Sequence, residues 1–268
     1  MRRRVGAAPL LLAGLLAAGE LSAETVAVRH AEGLVRGFLL LRSLDGTVLA
    51  SGDLIQTSRG DRVTSRLAFH FKDGSIQDET AVFSESGLFR LMSDHLIQRG
   101  PTFSHPMDIS IDAVGGRVTV RYREDGGGEK TIDERMSLPS DLANGMILTL
   151  LKNIPPDVAS WTVSMLVATP KPRLVRLVIT RAGEEPFSIS GTSLKATRFN
   201  VKVELGGLAG LIAPLVGKQP HDTSVWIVGG ERTVGQYFGQ PLFRGIMRQH
   251  ICQRHLHAQI QQCFDIAI

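Results

Sequence analysis

Between Gly33 and Leu138, apolar and polar residues alternate with a period of two, and glycine-centred turns cut the alternation at short intervals. That pattern constrains the fold more than any other feature. Successive side chains of a strand point to opposite faces, whereas a helix repeats at about 3.6 residues. Gly33–Ser43 and Thr47–Thr57 flank Asp45-Gly46, and Asp61–Lys72 and Ser75–Ser84 flank Asp73-Gly74, both strong hairpin signals. Leu88–Arg99, Met107–Ala113, Arg117–Glu124 and Lys130–Leu138 continue the series across Gly115-Gly116 and Gly126-Gly127-Gly128. The sequence therefore predicts an antiparallel meander.

The same alternation sorts the chemistry of residues 58–83. Val63, Ser65, Leu67, Phe69 and Phe71 share one face of a strand, while Arg66, Ala68, His70 and Lys72 share the other. His70 is thus on the polar side. Arg59-Gly60-Asp61 falls between two strands, where a turn accounts for it without an adhesive role. Asp78 and Glu79 are consecutive and face opposite ways, so they make a poor acid–base pair with each other.

One segment breaks the strand pattern. "LPSDLANGMILTLLKNIPP" offers Ser140 as a cap, repeats Leu142, Ile147, Leu150 and Leu151 near helical spacing, and stops at Pro155-Pro156. It predicts one principal helix over 140–153, with Gly145 as a weak point that tertiary contact must support. A lone amphipathic helix among strands covers a sheet face or edge. Strands resume at Trp161–Ala168, Leu174–Arg181, Phe187–Gly191, Arg198–Leu205, Ser224–Val228 and Thr233–Phe238. Gly206–Gly217 reads as an apolar flap, and the tail from Arg244 as helical or irregular.

The N-terminus, "MRRRVGAAPLLLAGLLAAGELSAET", has three arginines, an apolar run from Val5 to Gly19 and a small residue at Ala23. That is the layout of a secretory signal peptide. Cleavage after Gly19 is a second option, and an uncleaved anchor a third. The run is shorter than the roughly 20 residues a membrane span needs. No later stretch reaches that length. No cysteine follows the run, which argues against a lipid-modified N-terminus. The reading is an exported protein, periplasmic or secreted, with a signal peptide at 1–23, one β-rich domain at 24–243 and a tail at 244–268. Removing Arg2, Arg3, Arg4 and Glu20 lowers the net charge from +4 to +2. The remaining charges are interspersed, so nucleic acid is excluded as a partner.

The motifs that resemble catalytic or ligand sites fail on detail. "GLIAPLVGK" (210–218) has too many residues between its glycines for a phosphate loop, and Gln219 stands where Ser or Thr is needed. His250, Cys252, His255, His257 and Cys263 lack paired metal-ligand spacing, so neither metal nor cofactor is expected. Cys252 and Cys263 are the candidate disulfide, and two free thiols fit the spacing as well. His95, beside Asp94, and His105 resemble fragments of a catalytic triad, but no Gly-x-Ser-x-Gly elbow accompanies them. No catalytic residue is assigned. "HLIQRGPTFSHPMD" (95–108) reads as a crossover that carries Phe103 on a loop.

"SLPSDLANGMILTLLKNIPP" after the first strands and "GGLAGLIAPLVG" before the last hairpin make the layout similar to the Lol-type lipoprotein carriers of the bacterial periplasm. The resemblance spans Gly33–Phe238 and is one of order and composition. It implies one long, curved antiparallel sheet, an open half-barrel, whose concave side can hold acyl chains. Apolar residues on both faces of a strand, Leu34, Phe38 and Leu40 against Val35, Leu39 and Leu41, exceed what one buried face requires. The expected function is non-enzymatic: binding an apolar or lipid-like ligand, or another envelope component, in the concavity. Phe69, Phe71, Trp161 and Phe199 are the candidate lining. Two alternatives stand beside it: a partner-binding β-protein without a cavity, and a hydrolase built on His95 or His105.

Overall fold

The computed structural model describes residues 25–43, 48–103, 105–123, 126–168, 171–189, 192–204, 223–228, 244–247 and 262–267. The predicted meander is present almost strand for strand. It comprises β1 (Val35–Ser43), β2 (Val48–Arg59), β3 (Arg62–Phe71), β4 (Ile76–Ser84), β5 (Arg90–Arg99), β6 (Met107–Asp112), β7 (Arg117–Arg123) and β8 (Glu129–Arg135). Each pairs antiparallel with the next, and the sheet is not closed into a barrel. Gly60 takes φ +63 between Arg59 and Arg62, which are paired across the β2–β3 hairpin. The Arg-Gly-Asp tripeptide is therefore a turn, and glycine relieves its backbone.

A helix α1 follows at Ile147–Asn153, seven residues long rather than the fourteen expected from 140–153. Gly145 explains the difference, since its φ of +63 cannot continue a right-handed helix. The residues before it do other work. Four further strands, β9 (Ser160–Ala168), β10 (Pro172–Ile189), β11 (Thr192–Glu204) and β12 (Thr223–Val228), form a second sheet in the order β12-β11-β10-β9. The strands expected at Leu174–Arg181 and Phe187–Gly191 are one, β10, with a bulge at Ala182 beside Gly183, whose φ is +112. Asp141 and Asn144 close the outer edge of β9. Asn144 accepts from Leu166 N–H and donates to Leu166 C=O, both at 2.9 Å, and Asp141 Oδ2 accepts from Ser164 N–H at 2.8 Å.

The tail from Arg244 differs from its prediction. It contains β13 (Arg244–Met247) and β14 (Gln262–Ala267), and β14 pairs with β1, extending the large sheet to ten strands. Pairing to an existing edge can make a strand of a segment whose own pattern is weak. Asp45-Gly46, the flap at 206–217, the hairpin at 233–238 and Cys252 lie outside the described residues, so the disulfide does too.

One core fills the space between the sheets and under α1. Val63, Ala81, Phe83, Ile111, Val118 and Val120 of the large sheet meet Met146, Leu150 and Leu151 near the helix. Val163, Leu177, Ile179 and Phe199 of the small sheet complete it. The N-terminal segment is strapped into the same core. Val26 is 2% exposed, Val28 N–H donates to Gly87 C=O at 2.9 Å, and Asn153 Oδ1 accepts from the N–H groups of Arg29 and His30 at 2.9 and 2.7 Å. Glu32, almost wholly buried, holds Lys152 Nζ at 2.5 Å and Gln56 Nε2 at 2.7 Å.

Candidate functional site

Strand register places one row of inner-face residues across the large sheet: Leu54, Leu67, Glu79, Leu96, Ile109, Val120 and Ile132. Glu79 is the single ionisable member, set between two leucines. The next row runs Gln56, Ser65, Ala81, Asp94, Ile111. Asp94 is therefore the diagonal neighbour of Glu79 on the same face. A bulge between Val82 and Phe83 brings it there by leaving Met92 without a partner on β4.

Asp94 is the more deeply enclosed of the two. It is 3% exposed and its Oδ1 has no hydrogen-bond partner. Gly145 packs directly above, and a Cβ at that position would stand 3.1 Å from Asp94 Oδ1 and 2.5 Å from Ala81 Cβ. Glu79 is half-buried, with Leu67 and Leu96 as its cross-strand neighbours. Burial pushes the Glu79 carboxyl up to about 7. Burial, and then the nearby Glu79 charge, hold Asp94 well above the usual carboxylate range. Both acids thus hold their protons to higher pH than exposed carboxyls do, and a protonated carboxyl can donate a hydrogen bond that an ionised one cannot.

Around the pair, apolar side chains remain half-buried. Leu54 and Leu67 pack on a second small cluster, Ala50, Phe69, Phe71 and Phe103, while Leu96 and Met107 pack on the main core. Leu148 of α1 touches both clusters. Gln98 Nε2 donates to Gln77 Oε1 at 3.1 Å one row further along. The result is an apolar seam with a polar floor.

The four aromatic residues singled out from sequence divide into two places. Phe69 and Phe71 belong to the small cluster, where Phe103 stands edge-on to Phe71 with ring centroids 5.4 Å apart. Phe199 is in the main core, with Arg181 5.9 Å from its ring centroid, and Trp161 packs at the margin of that core. The loop bearing Phe103 tucks inward because Thr102 N–H donates to Ser75 Oγ at 2.8 Å, and Gly100 fits against Ser75. The hollow beneath α1, bounded by Val26, Phe89, Leu142 and Met146, has no room for a water molecule.

The outer face is a solvated grid of charge. Arg66 grips Asp78 bidentately at 2.5–3.2 Å, Arg117 grips Asp133, and Asp108 lies 2.9 Å from His95 Nε2 and 3.5 Å from Arg121. His95 thus has a carboxylate partner, but it is Asp108 and not the adjacent Asp94. Ser110 and Thr80 are its cross-strand neighbours, and neither hydroxyl is hydrogen-bonded to it. Among the described residues no three metal-ligating side chains come together, and no helix is long and apolar enough to cross a membrane.

Fold and site together define a mainly β protein: an open antiparallel sheet backed by a smaller one, with a buried acidic pair on its inner face. The chain is similar to a solved β-barrel-like protein of domain of unknown function DUF1849 from Brucella abortus. The match has 7% identity over 88% of this chain and 96% of that one, with a TM-score of 0.48. No protein-family model and no curated protein matches.

Proposed function

We propose that this is an exported protein of the cell envelope that works by binding, and that its ligand is an apolar or lipid-like molecule. The ligand lies on the inner face of the large sheet against Leu54, Leu67, Leu96 and Leu148, with the Glu79 carboxyl as its polar anchor. The observation that carries this reading is the half-buried leucine row interrupted by one carboxyl, which burial pushes up to about 7. A ligand site is mostly apolar with a few placed polar groups, and this row has that composition. Export is supported by the signal-like residues 1–23 and by Val26, which is already packed into the core just beyond them. The order of elements, which resembles that of Lol-type carriers, is in keeping with both.

Native mass spectrometry of the protein purified from its own membrane-containing lysate tests the reading. The expected spectrum contains a lipid-sized adduct that Leu67→Glu removes. The closed hollow beneath α1 favours a second reading, a partner-binding protein without a ligand. A clean apo mass for the wild type would overturn the first reading in favour of that one.

A further inference from the structure

Among the described residues strand β8 ends the large sheet, and β7 is its one neighbour in the strand order. Its residues from Glu129 to Arg135 are exposed, apart from half-buried Ile132 and Glu134. Which backbone groups face the open side follows from a single bond. Met136 N–H donates to Gly116 C=O at 2.8 Å, in register with the pairing of Arg117 and Arg135. In an antiparallel ladder alternate residues bond to opposite sides. The even-numbered residues of β8 therefore serve β7, and Glu129, Thr131, Asp133 and Arg135 present N–H and C=O outward.

A charged edge strand ordinarily repels other strands. This one is complementary to itself. We propose that β8 is the interface of a two-fold dimer, in which the edge strands of two copies pair antiparallel about Ile132. In that register Glu129 lies opposite Arg135 of the second copy, Lys130 opposite Glu134, and Thr131 opposite Asp133. Every opposed pair of full charges is attractive, and the symmetry repeats each pair twice. Ile132 meets its own copy on the inner face, next to the core it already packs against.

Neighbouring registers fail on the same chemistry. Shifting the centre to Thr131 sets Glu129 against Asp133. Shifting it to Asp133 opposes two copies of Asp133 and places Ile132 against Glu134. Half-step registers would pair outward-bonding residues with residues already bonded to β7. The charges that deter other partners therefore select this chain and this alignment.

The interface is small, so the dimer is weak, with a dissociation constant on the order of 10 μM. Sedimentation velocity of the purified protein over a range of concentrations reads it directly. Glu129→Arg and Arg135→Glu, each opposing like charges at two symmetric points, should each weaken association about tenfold. The double charge swap should restore it. Thr131→Pro removes an outward N–H that β7 does not use, so it should abolish the dimer with the circular dichroism spectrum unchanged. A monomer at every concentration up to several hundred micromolar, a dimer indifferent to these changes, or a double swap that fails to recover association would each overturn the proposal.

Discussion

The buried acidic pair makes stability fall as pH rises towards neutrality, and replacing Glu79 should remove most of that fall. An unfolded chain releases the Glu79 proton near 4.5, whereas the folded protein keeps it until about pH 7. Between those values the native state binds more protons than the unfolded state, so the unfolding free energy decreases with pH. At about 1.4 kcal/mol per pH unit, the displacement amounts to about 3 kcal/mol, present below pH 4.5 and lost by pH 7. Asp94 adds loss of the same sign, because its carboxyl is also held high by burial and by Glu79. Urea titrations at pH 5, 6, 7 and 8 should show the wild type losing stability across the series. Glu79→Gln should be the more stable protein at pH 8 by about 3 kcal/mol. Adding Asp94→Asn should flatten what slope is left. On the acid side the trend turns over, since Asp78, held low by its hydrogen bonds to Arg66, contributes stability that is lost as it protonates. A wild-type profile level from pH 5 to 8, or a Glu79→Gln profile parallel to it, would refute the reasoning.

Two further perturbations test the packing. Gly52→Ala should destabilise by about 1–3 kcal/mol in urea, because a Cβ there would stand 2.6 Å from Phe69 Cδ1, while Gly33→Ala, with open space around it, should be within about 0.5 kcal/mol of wild type. Lys152→Met should cost about 3 kcal/mol by stranding the buried Glu32 carboxylate; pairing it with Glu32→Gln should recover part of the loss, and a coupling below about 0.5 kcal/mol in the double-mutant cycle would contradict the assignment.

Much of the large sheet could be read from period-two patterning because each hairpin keeps local register. Asp61–Lys72, for example, is one strand whose Val63, Phe69 and Phe71 are all buried. The acidic pair was not legible, and the bulge in β5 is the reason. Counting alternate residues from buried Phe89 and Leu91 sends His95 and Ile97 inward and Asp94 out to solvent. The unpaired Met92 inverts that parity. The sequence does place Glu79 on the face of Ala81 and Phe83, a signal that becomes specific only when its cross-strand partner is known. The helix is shorter than its apolar spacing suggests for a related reason. Leu142 shares the helical spacing, but Asp141 and Asn144 answer to the edge of β9. The second sheet joins strands by contacts distant in sequence, which alternation within one segment does not encode.

The strap at residues 25–33 has a consequence for assembly. Its hydrogen bonds reach from Arg29 to Asn153, a separation of 124 residues. Residues 25–33 must therefore wait for α1, more than a hundred residues later, before they are fully docked. Chain order and locking order run in opposite directions. Until Asn153 has been made, the N–H groups of Arg29 and His30 lack the amide oxygen that holds them in the finished fold, so the strap is completed only after the strands of the large sheet up to β8 exist.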